Sequence, residues 1–343
     1  MEMSILNRMS ESQNKNQFSG SLLVKKNNKV LVEAHYGLAH RSEQIKNNAL
    51  TRYGIASGCK LFTAIAICQL VEQGKLGLDT KLTDCLNVFF PYFDEAITVH
   101  HLLTHTSGIP DYFDEEVMDD FEELWLKHPM YSLRSLEDFL PLFKDRPMTL
   151  KVGERFRYNN AGYILLGLII EQASQQPFCD YIEENIFQKA GMVSSGYFEF
   201  DSLPKNTALG YIDLPDGTWK TNIYSLPAKG GSDGGAYVTV DDMTRFWDAL
   251  VNDHLLSKEY THKLLTPYIR TKDDESSFYG YGLWIEKYKE AIFKFHLMGY
   301  DPGVSFHSAF YPNYDVKAVV CSNKSSGAYD MMMEIEKELA MLF

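Results

Sequence analysis

Ser57 and Lys60 stand three residues apart in YGIASGCKLFTAIAICQLVEQG, residues 53–74, at the head of an apolar run. On a helix, positions i and i+3 share a face, so the lysine nitrogen lies beside the serine hydroxyl and can draw off its proton. The same spacing recurs at Ser12 with Lys15 and at Ser202 with Lys205. Ser12 sits in a polar stretch and Pro204 interrupts the second copy, so neither heads a helix that could be buried. From Leu61 to Val71 nearly every residue is apolar on every face, which predicts a helix enclosed by protein, and Gly74 supplies a stop. The spacing predicts covalent acyl transfer at Ser57; an ordinary helix cap is the plainer alternative.

A second polar group precedes a second apolar helix in GERFRYNNAGYILLGLIIEQAS, residues 153–174. Tyr158 and Asn160 form a YxN pair there. A tyrosine loses its proton at a pH of about 10, so acting as a phenolate near neutrality takes roughly 4 kcal/mol of differential stabilisation, which a nearby ammonium such as Lys60 can supply. Asn160 carries both donors and an acceptor and can serve a lysine and a substrate amide together. The plainer alternative makes Tyr158 a loop aromatic and Asn160 a helix cap.

These residues need elements to hold them. Residues 18–38 read as two strands joined by a turn at Lys26 to Asn28. From about Cys59 to Ala190 the pattern is mainly helical, punctuated by Gly and Pro. After about Phe198 come short aromatic and β-branched runs, AYVTV, YGYGLWI, VSFHSAFY and VKAVVCS, which predict antiparallel strands. The last sixteen residues have apolar positions at helical spacing and predict a terminal helix on the sheet, with its Met run as core filler. The fold class expected is α/β, an antiparallel sheet flanked by helices with a large all-helical insert. Residues 1–58 and 198–343 form the sheet domain, residues 59–197 the helical one, and the active-site cleft lies between them.

Composition narrows the partners. A chain of 343 residues with 45% hydrophobic content buries a large core, and a net charge of -13 argues against nucleic acid as a main partner. The longest apolar run, YILLGLII, is far short of a membrane span, and the first twenty residues lack the build of a secretory signal, so a cytoplasmic location is expected. The five cysteines are scattered, with no CxxC pair, and read as reduced core thiols; Cys59 is expected to wall the site. GGSDG at 230–234 satisfies the GxSxG nucleophile pattern, yet a strand-like run follows where a helix is required, so Ser232 reads as part of a glycine turn. His101 and His105 are four apart, but Leu102 stands where the zinc peptidase pattern needs Glu. The acidic run DEEVMDDFEE reads as a solvated helix face.

Taken together, SGCK with LFTA, HLLTHTSGIPDY at 101–112 and GERFRYNNAGY resemble the serine β-lactamase and penicillin-binding family, most closely its class C branch. That branch includes class C β-lactamases, D,D-carboxypeptidases, D-aminopeptidases and esterases. AGM at 190–192, GGAYVTVDDMTRF at 234–246 and PG at 302–303 extend the resemblance over nearly the whole chain. It implies Ser57 as nucleophile and Tyr158 as proton-shuttling base, with Lys60 and Asn160 as its partners. The family's third motif is KTG or HxG, and FKFHLMGYDPGVSF departs from it. Either a residue is inserted after His296 or Leu297 holds the cationic position; His296 is the favoured counterpart, placed to hold a substrate carboxylate or carbonyl. The oxyanion is expected between the Ser57 N–H and a strand N–H near Gly299, each donor contributing about 3 to 4 kcal/mol.

No cofactor or metal is required. The resemblance implies an acyl-enzyme hydrolase of esters, amides or lactams, a small-molecule or peptide substrate, and no membrane span. A penicillin-binding D,D-carboxypeptidase and a non-turnover penicillin sensor are the alternatives. Phe113, Trp125, Tyr224, Trp284 and Tyr300 are candidates to line the cleft.

Overall fold

The computed structural model describes residues 10–342 apart from 12, 16, 273 and 274, so the Ser12 copy of the serine–lysine spacing lies outside the described residues. Eight antiparallel strands form the main sheet: β1 (Gly20–Lys26), β2 (Lys29–Tyr36), β3 (Ile269–Arg270), β4 (Ser277–Tyr279), β5 (Trp284–Tyr288), β6 (Ala291–Asp301), β7 (Val304–Tyr311) and β8 (Val316–Ser322). Their order across the sheet is β2-β1-β8-β7-β6-β5-β4-β3. The two ends of the chain therefore meet at its heart, with Gly20 opposite Ser322. The β1–β2 turn rests on Asn27 and Asn28 at φ 46° and 59°, the left-handed pair that matches the twist of a two-residue hairpin.

Among the described residues four helices run twelve residues or more, α1 (Lys60–Glu72), α2 (Asn160–Ser174), α3 (Val240–Val251) and α4 (Ala328–Leu342); α3 packs on β1 and β8, α4 on β7 and β8, and α2 on α1. Alternation along the strands sends Leu22, Val24, Val320 and Ala309 to the α4 face, where Met331, Met332 and Ile335 receive them. Leu23, Val319, Phe306 and Phe310 point the other way, into one apolar cluster that continues through α1 and α2. β7 and β8 are buried on both faces, and their VSFHSAFY and VKAVVCS runs are correspondingly dense in apolar residues. The sheet part and the helical part share this core.

α1 is buried from Lys60 to Leu70 and α2 from Asn160 to Ile170. That is the physical content of an apolar run with no polar face. Elsewhere the chain is less regular than its pattern. Residues 104–158 hold only short 3₁₀ turns, at Phe121–Leu126, Met130–Ser132 and Leu136–Leu142. The acidic run is not a solvated helix face: Glu116 pairs with Arg155 at 2.7 Å, Asp114 pairs with Arg157, and Phe113 and Phe121 turn inward. AYVTV yields only Tyr237–Val238, paired with Tyr53–Gly54, because Thr239 accepts the Asp242 N–H at 3.1 Å and starts α3. YGYGLWI splits into the ends of β4 and β5 around Gly282, at φ 76°. Among the described residues no helix is long and apolar enough to cross a membrane.

Candidate active site

Ser57 lies in a 3₁₀ turn, Ala56–Cys59, that runs directly into α1. Ala56, buried and at φ 45°, holds a left-handed conformation that costs a residue with a Cβ about 1 to 2 kcal/mol. Strain of this kind, fixed by surrounding packing, turns Ser57 outward at the head of the helix, where the peptide dipoles supply positive potential. Ser57 lines both cavities of the cleft.

Lys60, 1% exposed, points back along the helix face. Its Nζ lies 2.9 Å from Ser57 Oγ, 2.8 Å from Asn160 Oδ1 and 2.6 Å from the Asp233 carbonyl oxygen. Three acceptors match the three N–H of an ammonium. An amine in the same place donates two N–H and accepts the Ser57 hydroxyl. Asn160 is not the cap of α2; Asn159 is, its side chain accepting the Gly162 N–H at 2.7 Å. This leaves the Asn160 amide free for the site. Its Nδ2 faces Asp111 Oδ2 at 3.3 Å and the Phe113 carbonyl at 3.2 Å, so its oxygen must be the atom that meets Lys60.

Tyr158 packs against the same group. Lys60 Nζ is 4.9 Å from its ring centroid, and Trp284 stacks on the ring at 6.2 Å. Burial, reinforced by the Glu115 carboxylate, pushes the Tyr158 hydroxyl well above its usual range, against a smaller pull from its hydrogen bond to Ser57. That direction disfavours the phenolate considered from the sequence in the unliganded site. His105 lies beneath, its ring 4.5 Å from Tyr158 and its Nδ1 accepting the Asn159 N–H at 3.1 Å. Burial holds that imidazole well below its usual pKa. Among the described residues no cluster of His, Cys, Asp or Glu could hold a metal ion.

Gly299 on β6 meets the nucleophile turn at the closest approach the backbone allows. A Cβ there would stand 2.1 Å from the Ile55 carbonyl oxygen and 2.9 Å from the Gly58 nitrogen. The pairing of β5 with β6 ends at Trp284 opposite His296, so from Leu297 to Asp301 that edge of β6 faces the cleft beside Ser57. The structure separates His296 from this group. Strand alternation turns it to the α4 face, 3.6 Å from Glu286 Oε1, and burial holds its imidazole below the usual value while Glu286 opposes. His296 lines neither cavity, and Leu297, the alternative, is buried in the core. Neither residue gives the cleft a cation.

Of the candidate aromatics, Phe113, Trp284 and Tyr300 line the cleft, whereas Trp125 is core and Tyr224 is 74% exposed outside it. Ser232 is fully buried, its Oγ without a partner, and its carbonyl accepts from Thr63 Oγ1 at 2.6 Å. The glycine loop around it serves the site through its backbone, by bringing the Asp233 carbonyl to Lys60. Cys59 packs under this loop, and burial pushes its thiol up to about 12.

Sequence reasoning passed over four carboxylates. Asp111 caps α2 from outside, accepting the Asn160 N–H at 2.6 Å and the Ala161 N–H at 3.0 Å; burial pushes it up to about 7. Asp233 accepts from the Tyr112 hydroxyl. Glu115 and Asp301 line both cavities. An acidic residue in a loop carries no periodic signal, and only the fold brings three of these to the cleft and Asp111 to Asn160 behind it.

A serine set at a helix head by the left-handed alanine before it, a buried lysine bridging it to an asparagine of a second buried helix, and a strand glycine pressed against the turn define the cleft of the β-lactamase and transpeptidase fold. The chain belongs to the Beta-lactamase family, whose model matches residues 8–340. It is 31% identical over 325 residues to penicillin-binding protein 4* of Bacillus subtilis, covering 90% of this chain and 69% of that one. A crystal structure of a penicillin-binding protein from Bacillus halodurans superposes with a TM-score of 0.92 at 59% identity, covering 96% of this chain and 99% of the other. The octameric penicillin-binding protein homologue from Pyrococcus abyssi superposes at 0.86 with 28% identity, over 99% of this chain and 76% of its own. The D-amino acid amidase of Ochrobactrum anthropi, at 20% identity and a TM-score of 0.79 over 98% of this chain and 99% of its own, shares the fold.

Proposed function

We propose that this chain is a serine hydrolase that opens ester, amide or lactam carbonyls through an acyl-enzyme on Ser57. The observation that carries the reading is the placement of Lys60 Nζ within hydrogen-bonding distance of Ser57 Oγ, Asn160 Oδ1 and the Asp233 carbonyl. As an amine, Lys60 accepts the Ser57 proton while Oγ bonds to the substrate carbonyl carbon. The ammonium that results finds an acceptor for each N–H. The carbonyl oxygen takes up the negative charge beside the Ser57 N–H and the β6 edge near Gly299. Tyr158, protonated and hydrogen-bonded to Ser57, gives its hydroxyl proton to the departing alcohol or amine and regains one from Lys60. Water then attacks the ester of Ser57 by the reverse route, releasing the acid and restoring the serine.

The test is release of p-nitrophenol from a short-chain ester, with intact-protein mass after exposure to a fluorescent penicillin, in the parent chain and Ser57→Ala. Multiple turnovers that vanish in the variant support the reading. Turnover independent of Ser57 discards it. A second reading, a penicillin-binding sensor that acylates without turnover, draws on the burial of Tyr158 beside Glu115, which raises its hydroxyl above the usual range and disfavours a phenolate base in deacylation. It predicts one product per chain and a lasting adduct at Ser57.

A further inference from the structure

The cleft around Ser57 is apolar and carboxylate-lined. Its inner cavity is walled by Phe113, Phe121, Phe139, Phe198, Leu226 and Tyr237. Four charged side chains reach it: Glu115, Asp233, Asp301 and Lys229. Lys229 is the cation among them, and it sits 3.7 Å from Glu199 Oε1. Asp233 is satisfied by Tyr112. The outer groove adjoins Ser57, Tyr158 and Gly299, and the charged residues that line it are Glu115, Asp119, Asp120, Glu122 and Asp301. No lysine, arginine or histidine is among them. Glu122 is held by Lys220 at 2.8 Å.

Asp301 stands apart from these. It belongs to β6, two residues beyond Gly299, and strand geometry puts it on the same face of the strand, about 7 Å along. It lines both cavities where they join beside Ser57. Among the described residues no hydrogen-bond donor or cation pairs with its carboxylate, and the other charges that act on it are Asp233, Glu115 and Lys60. A partly buried carboxylate that lines a cavity without a partner is costly unless something brings it a positive charge. Lys60 acts on it without a hydrogen bond, Lys229 is turned to Glu199, and the remaining walls are chiefly rings, aliphatic chains and glycine backbone.

We infer that the acyl group carried by Ser57 bears a protonated amine, as in an ester or amide of an apolar α-amino acid with a free amino group, and that Asp301 receives that amine. The inference rests on the acyl-enzyme reading above. One strand then does two things at one residue of separation in the substrate: Gly299 stands beside the reacting carbonyl, and Asp301 stands beside the ammonium next to it. The aromatic walls of the inner cavity take the side chain. The same arrangement disfavours acyl donors with a carboxylate near the reacting bond, because Leu297 and His296 leave the β6 edge without a cation to meet it.

The experiment compares phenylalanine methyl ester, as each enantiomer, with the N-acetyl ester of the same amino acid, which is the same acyl group without its charge. In the parent chain kcat/KM for the free-amine ester exceeds that for the N-acetyl ester by about tenfold or more, the range of a hydrogen bond to a charged group. In Asp301→Asn that ratio falls towards one, chiefly through KM of the free-amine ester. Circular dichroism of the variant guards against misfolding, and Glu115→Gln, which lines the same cavities from another segment, is expected to lower the ratio less. A parent chain that prefers the N-acetyl ester, or an unchanged ratio in Asp301→Asn, overturns the inference. p-Nitrophenyl acetate, which has no amine, separates the two levels. If Ser57 is needed for its turnover while the ratio shows no amine preference, the substrate inference alone falls; if Ser57 is not needed, the acyl-enzyme reading falls with it.

Discussion

Asp301→Asn should stabilise the protein, and by an amount that depends on pH. The carboxyl is pushed up to about 8 by burial, with Asp233 and Glu115 adding to it and Lys60 opposing. Its folded-state value lies above its unfolded one, so the folded state binds the extra proton in the window between them. Stability contributed by this group is therefore unaffected below about pH 4, falls as pH rises, and levels off above about pH 8. At about 1.4 kcal/mol for each pH step across that window, the full cost has an upper limit of roughly 6 kcal/mol. Access to solvent at the cleft mouth brings the expected gain to about 1 to 3 kcal/mol. Asn removes the charge at nearly constant volume and forfeits no hydrogen bond. Urea unfolding at pH 5, 7 and 9 measures the gain, which should be small at pH 5 and greatest at pH 9. A variant equally stable with its parent at pH 9, or one whose gain is constant across pH, would refute the electrostatic account of this residue.

Other outcomes follow from single contacts. Gly299→Ala places a methyl against the Ile55 carbonyl, at 2.1 Å before any relaxation, and should reduce ester turnover at least a hundredfold while the fold survives by circular dichroism. Ala56→Gly relieves a left-handed φ of 45° and should raise thermal stability by about 1 kcal/mol, read as a rise in Tm of a few degrees. Asp111→Ala leaves the Asn160 and Ala161 N–H unpaired at the head of α2, and is expected to cost about 2 kcal/mol in urea unfolding and tenfold or more in kcat. Cys59, with its thiol pushed up to about 12 under the glycine loop, should resist iodoacetamide at pH 8 in the native protein and react once urea unfolds it, by peptide mass analysis.

The two buried helices were legible because an apolar run with no polar face has one physical solution, enclosure, and the sequence of each names its partner residues at the head. Ser57, Lys60, Tyr158 and Asn160 meet because both helix heads point into one cleft. What could not be read was the face of a strand. His296 and Leu297 differ by one position, and one position reverses the side of the sheet, so the side chain with the chemistry went to the α4 face and the apolar one to the core. The carboxylates escaped for a different reason: Asp111, Glu115, Asp233 and Asp301 come from four separate segments, and their company is a property of the fold alone. The region from 104 to 158 read as helix because apolar residues recur there, yet prolines at 110, 129, 141 and 147 limit it to short turns.

The pairing of β1 with β8 joins residues roughly 300 positions apart, Gly20 opposite Ser322. During synthesis at about 5 to 20 residues per second, β1 and β2 wait some 15 to 60 seconds for the strand that covers them. For that interval Leu22, Leu23 and Val24 lie on an open strand edge, the kind of surface that pairs with a neighbouring nascent chain. The helical segment carrying α1 and α2 emerges in the meantime. Yield of folded protein should therefore respond to elongation rate and to chaperones that shield amino-terminal strands, and a circular permutant beginning in the β7–β8 turn would shorten the wait.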